Sequence, residues 1–209
     1  MGSSDLAILQ TLAARPAWPL EDVLSLPGHC RGSLLKDWAR HVRRRFGASE
    51  PDVLRQTLGV DAQTLPDAPN QYAWLRVAHH LALTRQIVER QLGGDLLALE
   101  ALVREDALSN SDRWVDRVVR LALAPRRVLG ETKRIHSALY DAGEAEAAVG
   151  KNDALLSWHG AAFFGEPTWR VLQVFAVRGL FHTLGGSVRV VRAEGGERTS
   201  EFSLVIGWD

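Results

Sequence analysis

Apolar residues in the first two thirds of the chain recur at intervals of three and four, and β-branched runs are scarce, so this part is predicted to be helical and free of strands. Leu6, Leu9, Leu12 and Ala13 form a short stripe that stops at Arg15-Pro16. Pro16 and Pro19 punctuate the chain before a second short segment, Leu20 to Leu26, which Pro27-Gly28 ends. From Gly32, Leu34, Leu35, Trp38, Val42 and Phe46 define one helix face, with Lys36, Arg40, Arg43 and Arg44 mostly on the other and Gly47 as a C-cap. Ser49-Glu50-Pro51-Asp52 has the composition of a helix start, with Ser49 as cap ahead of Val53, Leu54 and Leu58. The turn-rich stretch Leu65 to Asn70 is short enough to be a loop between helices of one domain. The longest helix is expected over Gln71 to Leu92, stopped by Gly93-Gly94. Asp95 caps the next through Leu96, Leu99, Leu102 and Val103. Ser109 to Asp112 caps another running to Ala124, and Pro125 opens one more at its first turn.

From Glu144 the period shortens to two. Glu144 to Val149 and Ala154 to Gly160 flank Gly150-Lys151-Asn152-Asp153, a composition suited to a hairpin. Gly165-Glu166-Pro167-Thr168 then starts a helix whose apolar positions, Trp169 through Leu184, wrap most of its circumference, which predicts burial, with Arg170 on its exposed side. Gly185-Gly186 stops it, Val188 to Val191 reads as a strand, and Phe202, Leu204, Ile206 and Trp208 alternate with smaller or polar residues as a half-buried final strand. The expected fold is α+β, with N-terminal helices packed on a C-terminal four-stranded antiparallel sheet and a buried crossover helix in the order hairpin, helix, hairpin. One domain spans 1–209, with a helical part over 1–143 and the hairpin–helix–hairpin part over 144–209.

Composition narrows the function classes. Of 209 residues 46% are apolar, enough for a core, and 25 Lys and Arg balance 25 Asp and Glu, so no net field draws the chain to nucleic acid or an anionic membrane. The single cysteine, Cys30, has no disulfide partner and cannot supply a thiolate zinc site, which fits a reducing cytoplasm. No run reaches the roughly 18 apolar residues of a membrane span, and the start lacks the shape of an export signal.

The order of elements resembles the haem-nitric-oxide-binding and four-vinyl-reductase superfamily. The likeness sharpens in Ile135-His136-Ser137-Ala138-Leu139-Tyr140-Asp141-Ala142-Gly143, in Phe175-Ala176-Val177-Arg178-Gly179-Leu180-Phe181, and in the terminal strand closing on Trp208. These segments, with Arg31-Gly32-Ser33-Leu34-Leu35 and Pro69-Asn70-Gln71-Tyr72-Ala73-Trp74 upstream, are similar to a paralogous family expanded in myxobacteria that looks like a branch of this superfamily. The resemblance implies a sensory or scaffolding module whose relatives bind haem, aromatic compounds, tetrapyrroles or lipids between helices and sheet. It places His136 about where a proximal haem ligand is sought. The Tyr-x-Ser-x-Arg propionate motif of haem-binding members is replaced by Trp158-His159-Gly160-Ala161-Ala162, and the cysteines of zinc-bearing members have no counterpart after Cys30. No cofactor or metal is therefore expected.

Other constellations carry weaker signals. His79 and His80, adjacent on a helix, point roughly 100° apart, so one is expected to face solvent. His136 reads as a helix-end histidine meeting C-terminal carbonyls, a site that favours imidazolium. His159 and His182 would meet only if the first hairpin packs beside the buried helix in one register. Glu144 and Glu146 share a strand face, expected to be the outer one. Arg43, Arg44 and Arg45 read as a solvated helix face. No hydrolase elbow, zinc-protease motif or phosphate-binding loop is present, and no catalytic residue is assigned. Trp158, Phe163, Trp169, Phe175 and Phe181 are the candidate ligand-binding residues, either as plain core or as walls of an apolar pocket. Three functions stay open: a non-enzymatic sensory or regulatory domain binding a small apolar ligand or a protein partner, an assembly module with a filled core that forms a homodimer, and an enzyme whose site assembles only in three dimensions.

Overall fold

Alternating inward residues on four strands build one wall of the core. The computed structural model describes residues 3–61, 63, 70–105 and 125–208. Strands β3 (Glu144–Val149), β4 (Asp153–His159), β5 (Arg189–Glu194) and β6 (Glu201–Gly207) form an antiparallel sheet in the order β3-β4-β6-β5. Ala145, Ala154, Leu156, Trp158, Val190, Phe202, Leu204 and Ile206 are buried on its inner face, while Glu144, Glu146, Leu155 and Val191 are exposed on the other. Register pairs Trp158 with Phe202 and Leu156 with Leu204, so large side chains meet across neighbouring strands. Helix α9 (Pro167–Thr183) joins β4 to β5, which lie on either side of β6.

Of the N-terminal helices, α1 (Ser3–Ala13) packs on β5; α2 (Leu20–Ser25), α3 (Gly32–Phe46) and α4 (Glu50–Leu58) pack around α5 (Val77–Gln91), which also meets α9; after α6 over 99–105, α7 (Pro125–Gly130) and α8 (Thr132–Leu139) pack on β3. Several punctuation signals act as expected. Gly47 closes α3 through its N–H to the Arg43 carbonyl, the Asp95 carboxylate accepts the Leu97 N–H at 2.9 Å, and Pro125 begins α7. Ser49 occupies the cap position of α4 but makes no side-chain cap bond, because its backbone is already helical at φ −86°, ψ −11°. Leu9 and Leu12 carry the α1 stripe inward and Leu6 is exposed. The expected loop at Leu65–Pro69 and the expected helix from Ser109 to Ala124 lie outside the described residues.

Two short strands overturn the all-helical reading of the first two thirds. β1 (His29–Arg31) pairs antiparallel with β2 (Trp74–Arg76), setting Cys30 opposite Leu75, and α5 begins only at Val77. Three residues are too few for a period of two to be read, and the pairing joins segments more than forty residues apart. Burial pushes the Cys30 thiol up to about 12, leaving it an inert core group.

Polar groups inside the core tie these layers together. Asp5 in the first turn of α1 accepts the Val190 N–H of β5 at 3.0 Å and lies 3.7 Å from Arg178, which also meets Glu100 at 3.0 Å. The expectation that one of His79 and His80 faces solvent is wrong: both are buried, because α5 is enclosed on most sides, with Val77 through Thr84 all inside. His80 sits 6.5 Å from the Trp38 ring, and burial lowers it to about 4. An unfolded histidine titrates near 6.5, so burial of neutral His80 stabilises the fold fully above pH 6.5. That stability is lost as pH falls toward 4, by about 3 kcal/mol. Denaturant midpoints measured between pH 7 and pH 4 should show this slope, and His80→Leu should reduce it, the remainder belonging to His79 and His136, which burial also lowers; an unchanged slope would assign the acid sensitivity elsewhere.

Candidate functional site

The resemblance puts a ligand between helices and sheet, and the aromatic residues there come from the end of α8, from β4, from the turn Ala162–Gly165, from α9 and from β6. Trp169 in the first turn of α9 is the hub. Phe164 lies 4.6 Å from its ring centroid, Trp158 5.7 Å, Phe163 5.8 Å, Phe202 6.2 Å and Tyr140 6.5 Å, mostly edge to face. All six rings are buried. Of the candidate ligand-binding residues, Trp158, Phe163 and Trp169 are thus brought together. Phe181 packs on Trp208 at 5.6 Å, and Phe175, also buried, contributes to the wall of a separate cleft of about 150 Å³ with Arg178 and His182.

The start of α9 is held by buried polar groups. Glu166 caps it, accepting the Trp169 N–H at 2.7 Å. Burial raises the Glu166 carboxyl, against the opposing hydrogen bonds from Trp169 and Thr168 and the charge of Arg85. Arg170 corrects the sequence reading outright: it is not on an exposed side but 1% exposed. Its guanidinium donates to the carbonyls of Phe164 at 2.7 Å, Gly195 at 3.1 Å, Gly196 at 3.0 Å and Glu201 at 3.0 Å, and to the Thr199 hydroxyl at 3.2 Å. The β5–β6 turn is wrapped around this side chain so closely that a Cβ on Gly195 would lie 2.7 Å from the guanidinium carbon. Burial first, and the charge of Arg15 second, bring Arg170 down to about 10, so it stays charged at neutral pH.

His136 meets a carbonyl, as expected, but one beyond its own helix. Its Nε2 lies 3.1 Å from the Ala142 oxygen, and the ring stacks on Tyr140 at 5.1 Å and meets the edge of Phe164 at 5.6 Å. Burial lowers its pKa in spite of the backbone bonds to Ala142 and Gly143, so the expectation of imidazolium fails. The bond holds the chain where it turns from α8 into β3. Gly143 there has φ +75°, and a Cβ on it would lie 2.4 Å from the Phe164 ring, so only glycine lets strand and ring approach.

Just outside this turn is a pair that sequence reading missed. Asp141 accepts the His29 backbone N–H at 2.6 Å, and its other oxygen lies 2.7 Å from His29 Nδ1. The slight burial of Asp141 would raise it, but the His29 hydrogen bonds and charge hold it below the usual carboxylate range. Nothing in the local pattern could show a contact spanning 112 residues. His159 and His182 are not brought together, since His159 faces Glu144 at 3.6 Å across the first hairpin while His182 lines the cleft beside Arg178. Glu144 and Glu146 do lie on the outer face. Arg44 and Arg45 are exposed, with Arg44 4.0 Å from Glu105. Among the described residues no three His, Cys, Asp or Glu side chains converge as a metal-donor set, and no described helix is long and apolar enough to cross a membrane.

Comparison with solved structures decides the fold. An Fe(II) unliganded H-NOX protein from K. algicida superposes with a TM-score of 0.66 at 10% identity, covering 86% of this chain and 96% of that one. This chain has the H-NOX fold. An oxygen-binding H-NOX domain related to soluble guanylate cyclases, in its oxygen complex, aligns over 86% of this chain and 95% of its own, with a TM-score of 0.61 at 12% identity. A point variant of Tt H-NOX aligns over the same shares with a TM-score of 0.63 at 13% identity. No protein-family model matches the chain, and no curated protein matches it in sequence. The H-NOX likeness agrees in fold with the resemblance read from the motifs; none of these matches bears on the myxobacterial paralogues.

A haem does not fit the described residues of this H-NOX fold. Nε2 of His136 is engaged by the Ala142 carbonyl, its ring is flanked by Tyr140 and Phe164, and the strand end that would need propionate-binding groups carries buried Trp158 and Ala161 instead. Neither the cleft beside Phe175 nor the one between the α1–α2 linker and the β5–β6 turn has His136 or Trp169 in its wall.

Proposed function

We propose that this protein is a non-enzymatic regulatory domain of H-NOX fold that works without haem and acts through contact with a protein partner. The observation that carries the reading is the ring cluster centred on Trp169: six buried aromatic side chains occupy the space between helices and sheet, and the histidine nearest to it is held by a backbone carbonyl. Rings at these spacings contribute cohesion to a core, whereas a ligand pocket needs open volume walled by them. The crossover of α9 over β6 belongs to the same reading: it seats Trp169 against the centre of the sheet and makes the aromatic cluster the junction between the hairpins and the N-terminal helices.

Hemin titration of the purified full-length protein tests this. No stoichiometric Soret band should form, and native mass spectrometry should return the mass of the polypeptide without an added ligand. A one-to-one Soret band abolished by His136→Ala would overturn the proposal and return the protein to the haem sensors.

A further inference from the structure

The linker between α1 and α2 and the turn between β5 and β6 face each other across a cleft of about 260 Å³. Arg15, Trp18, Pro167, Arg170, Glu197 and Arg198 contribute to its walls. Arg15 and Arg170 both donate to one acceptor, the Gly195 carbonyl, at 2.6 and 3.1 Å. Two guanidiniums thus converge on a single oxygen, and among the described residues no carboxylate ion-pairs with either. The buried Glu166 carboxylate acts on Arg170 without ion-pairing to it, Arg15 has no carboxylate within ion-pair distance among the described residues, and guanidiniums are well suited to receive an oxyanion. Arg170 cannot withdraw, because it is 1% exposed and fixed by Phe164, Thr199 and Glu201 as well.

The remaining groups define the rest of the cleft. Arg198 is latched to Asp22 of α2 at 2.7 Å, and its guanidinium carbon lies 5.3 Å over the Trp18 ring. Arg198 has φ +53°, the one positive value among the described non-glycine residues. Asp22 answers the Arg198 charge. Glu197, exposed on the same turn, also lines the cleft and makes no ion pair among the described residues, while the guanidiniums of Arg15 and Arg170 are the ones fixed on the Gly195 carbonyl. Trp18 and Pro167 supply an apolar flank.

We propose that this cleft binds a small molecule carrying an oxyanion, a phosphate or a carboxylate group, which sits beside Arg15 and Arg170 while its apolar or planar part lies against Trp18. The inference stands apart from the haem-free reading, since none of these residues belongs to the Trp169 ring cluster and a haem-binding outcome would leave it untouched.

Calorimetric titration and thermal melts of the full chain with inorganic phosphate, pyrophosphate and benzoate test it, with sodium chloride at matched ionic strength as control. At least one of these anions should bind at millimolar concentration and raise the melting temperature where chloride does not. Arg15→Gln should weaken that binding by about tenfold or more, as loss of a charge-assisted contact does, while the melting temperature without anion stays level or rises because a like-charge repulsion is relieved. Binding of phosphate or pyrophosphate alone would assign a phosphorylated ligand, and of benzoate alone a carboxylate. No binding of any probe, or equal binding by wild type and Arg15→Gln, would overturn the proposal.

Discussion

Arg170→Ala should cost this protein about 3–5 kcal/mol, the range for stripping one partner from a buried charged network. The alanine would take the guanidinium from four backbone carbonyls, those of Phe164, Gly195, Gly196 and Glu201, and from the Thr199 hydroxyl, the Phe164 carbonyl in a buried position, and would open a cavity under the β5–β6 turn. Lysine cannot replace it, because an ammonium has no planar fork to reach acceptors on both sides of the turn, so Arg170→Lys should recover less than half of the loss. On the order of 10 °C should be lost from the melting temperature of the alanine variant in a chain of this size. Exposed Arg192 on the neighbouring strand is the control, and its replacement by alanine should stay within about 0.5 kcal/mol. Denaturant midpoints of the three variants decide it. If Arg170→Ala shifted the midpoint no more than Arg192→Ala does, the turn would be held by something other than this side chain.

Trp169→Ala should be comparably damaging, about 3–5 kcal/mol, because the indole is the common neighbour of five other rings and its removal leaves a void that the sheet and α9 cannot close together. The same variant distinguishes a filled core from a pocket. An engineered apolar cavity of this kind accepts a small aromatic molecule, so indole should raise the melting temperature of Trp169→Ala and leave the wild type unmoved. Wild-type stabilisation by indole would show that the rings already part for a ligand, and would favour a small-apolar-ligand sensor over the partner-binding domain proposed above.

The regularities that sequence exposes are those of short range. From Glu144 onward, alternation of large inward and small or polar outward residues, with Gly150 to Asp153 as a turn, specified both hairpins to within a few residues, because a period of two and a tight turn are local properties. Caps at Gly47 and Asp95, the break at Pro16 and the start at Pro125 were legible for the same reason. The motif from Ile135 to Gly143 marked the corner of the site, and Gly143 is there because its φ and the Phe164 ring admit no side chain. Contacts decided by distant partners were not legible. The β1–β2 pair and the His29–Asp141 contact join residues far apart in the chain, and no periodicity within either segment records the other. Arg170, His79 and His80 were misplaced because charge and polarity argue for the surface when read alone. Burial of Arg170 is decided by the carbonyls that a folded turn presents to it, and burial of the two histidines by how completely the other elements enclose α5. Sequence by itself determined the element types and the apolar faces of the C-terminal half; tertiary structure alone decided which polar side chains are interior, since a buried donor is stable only where the rest of the chain has already placed its acceptors.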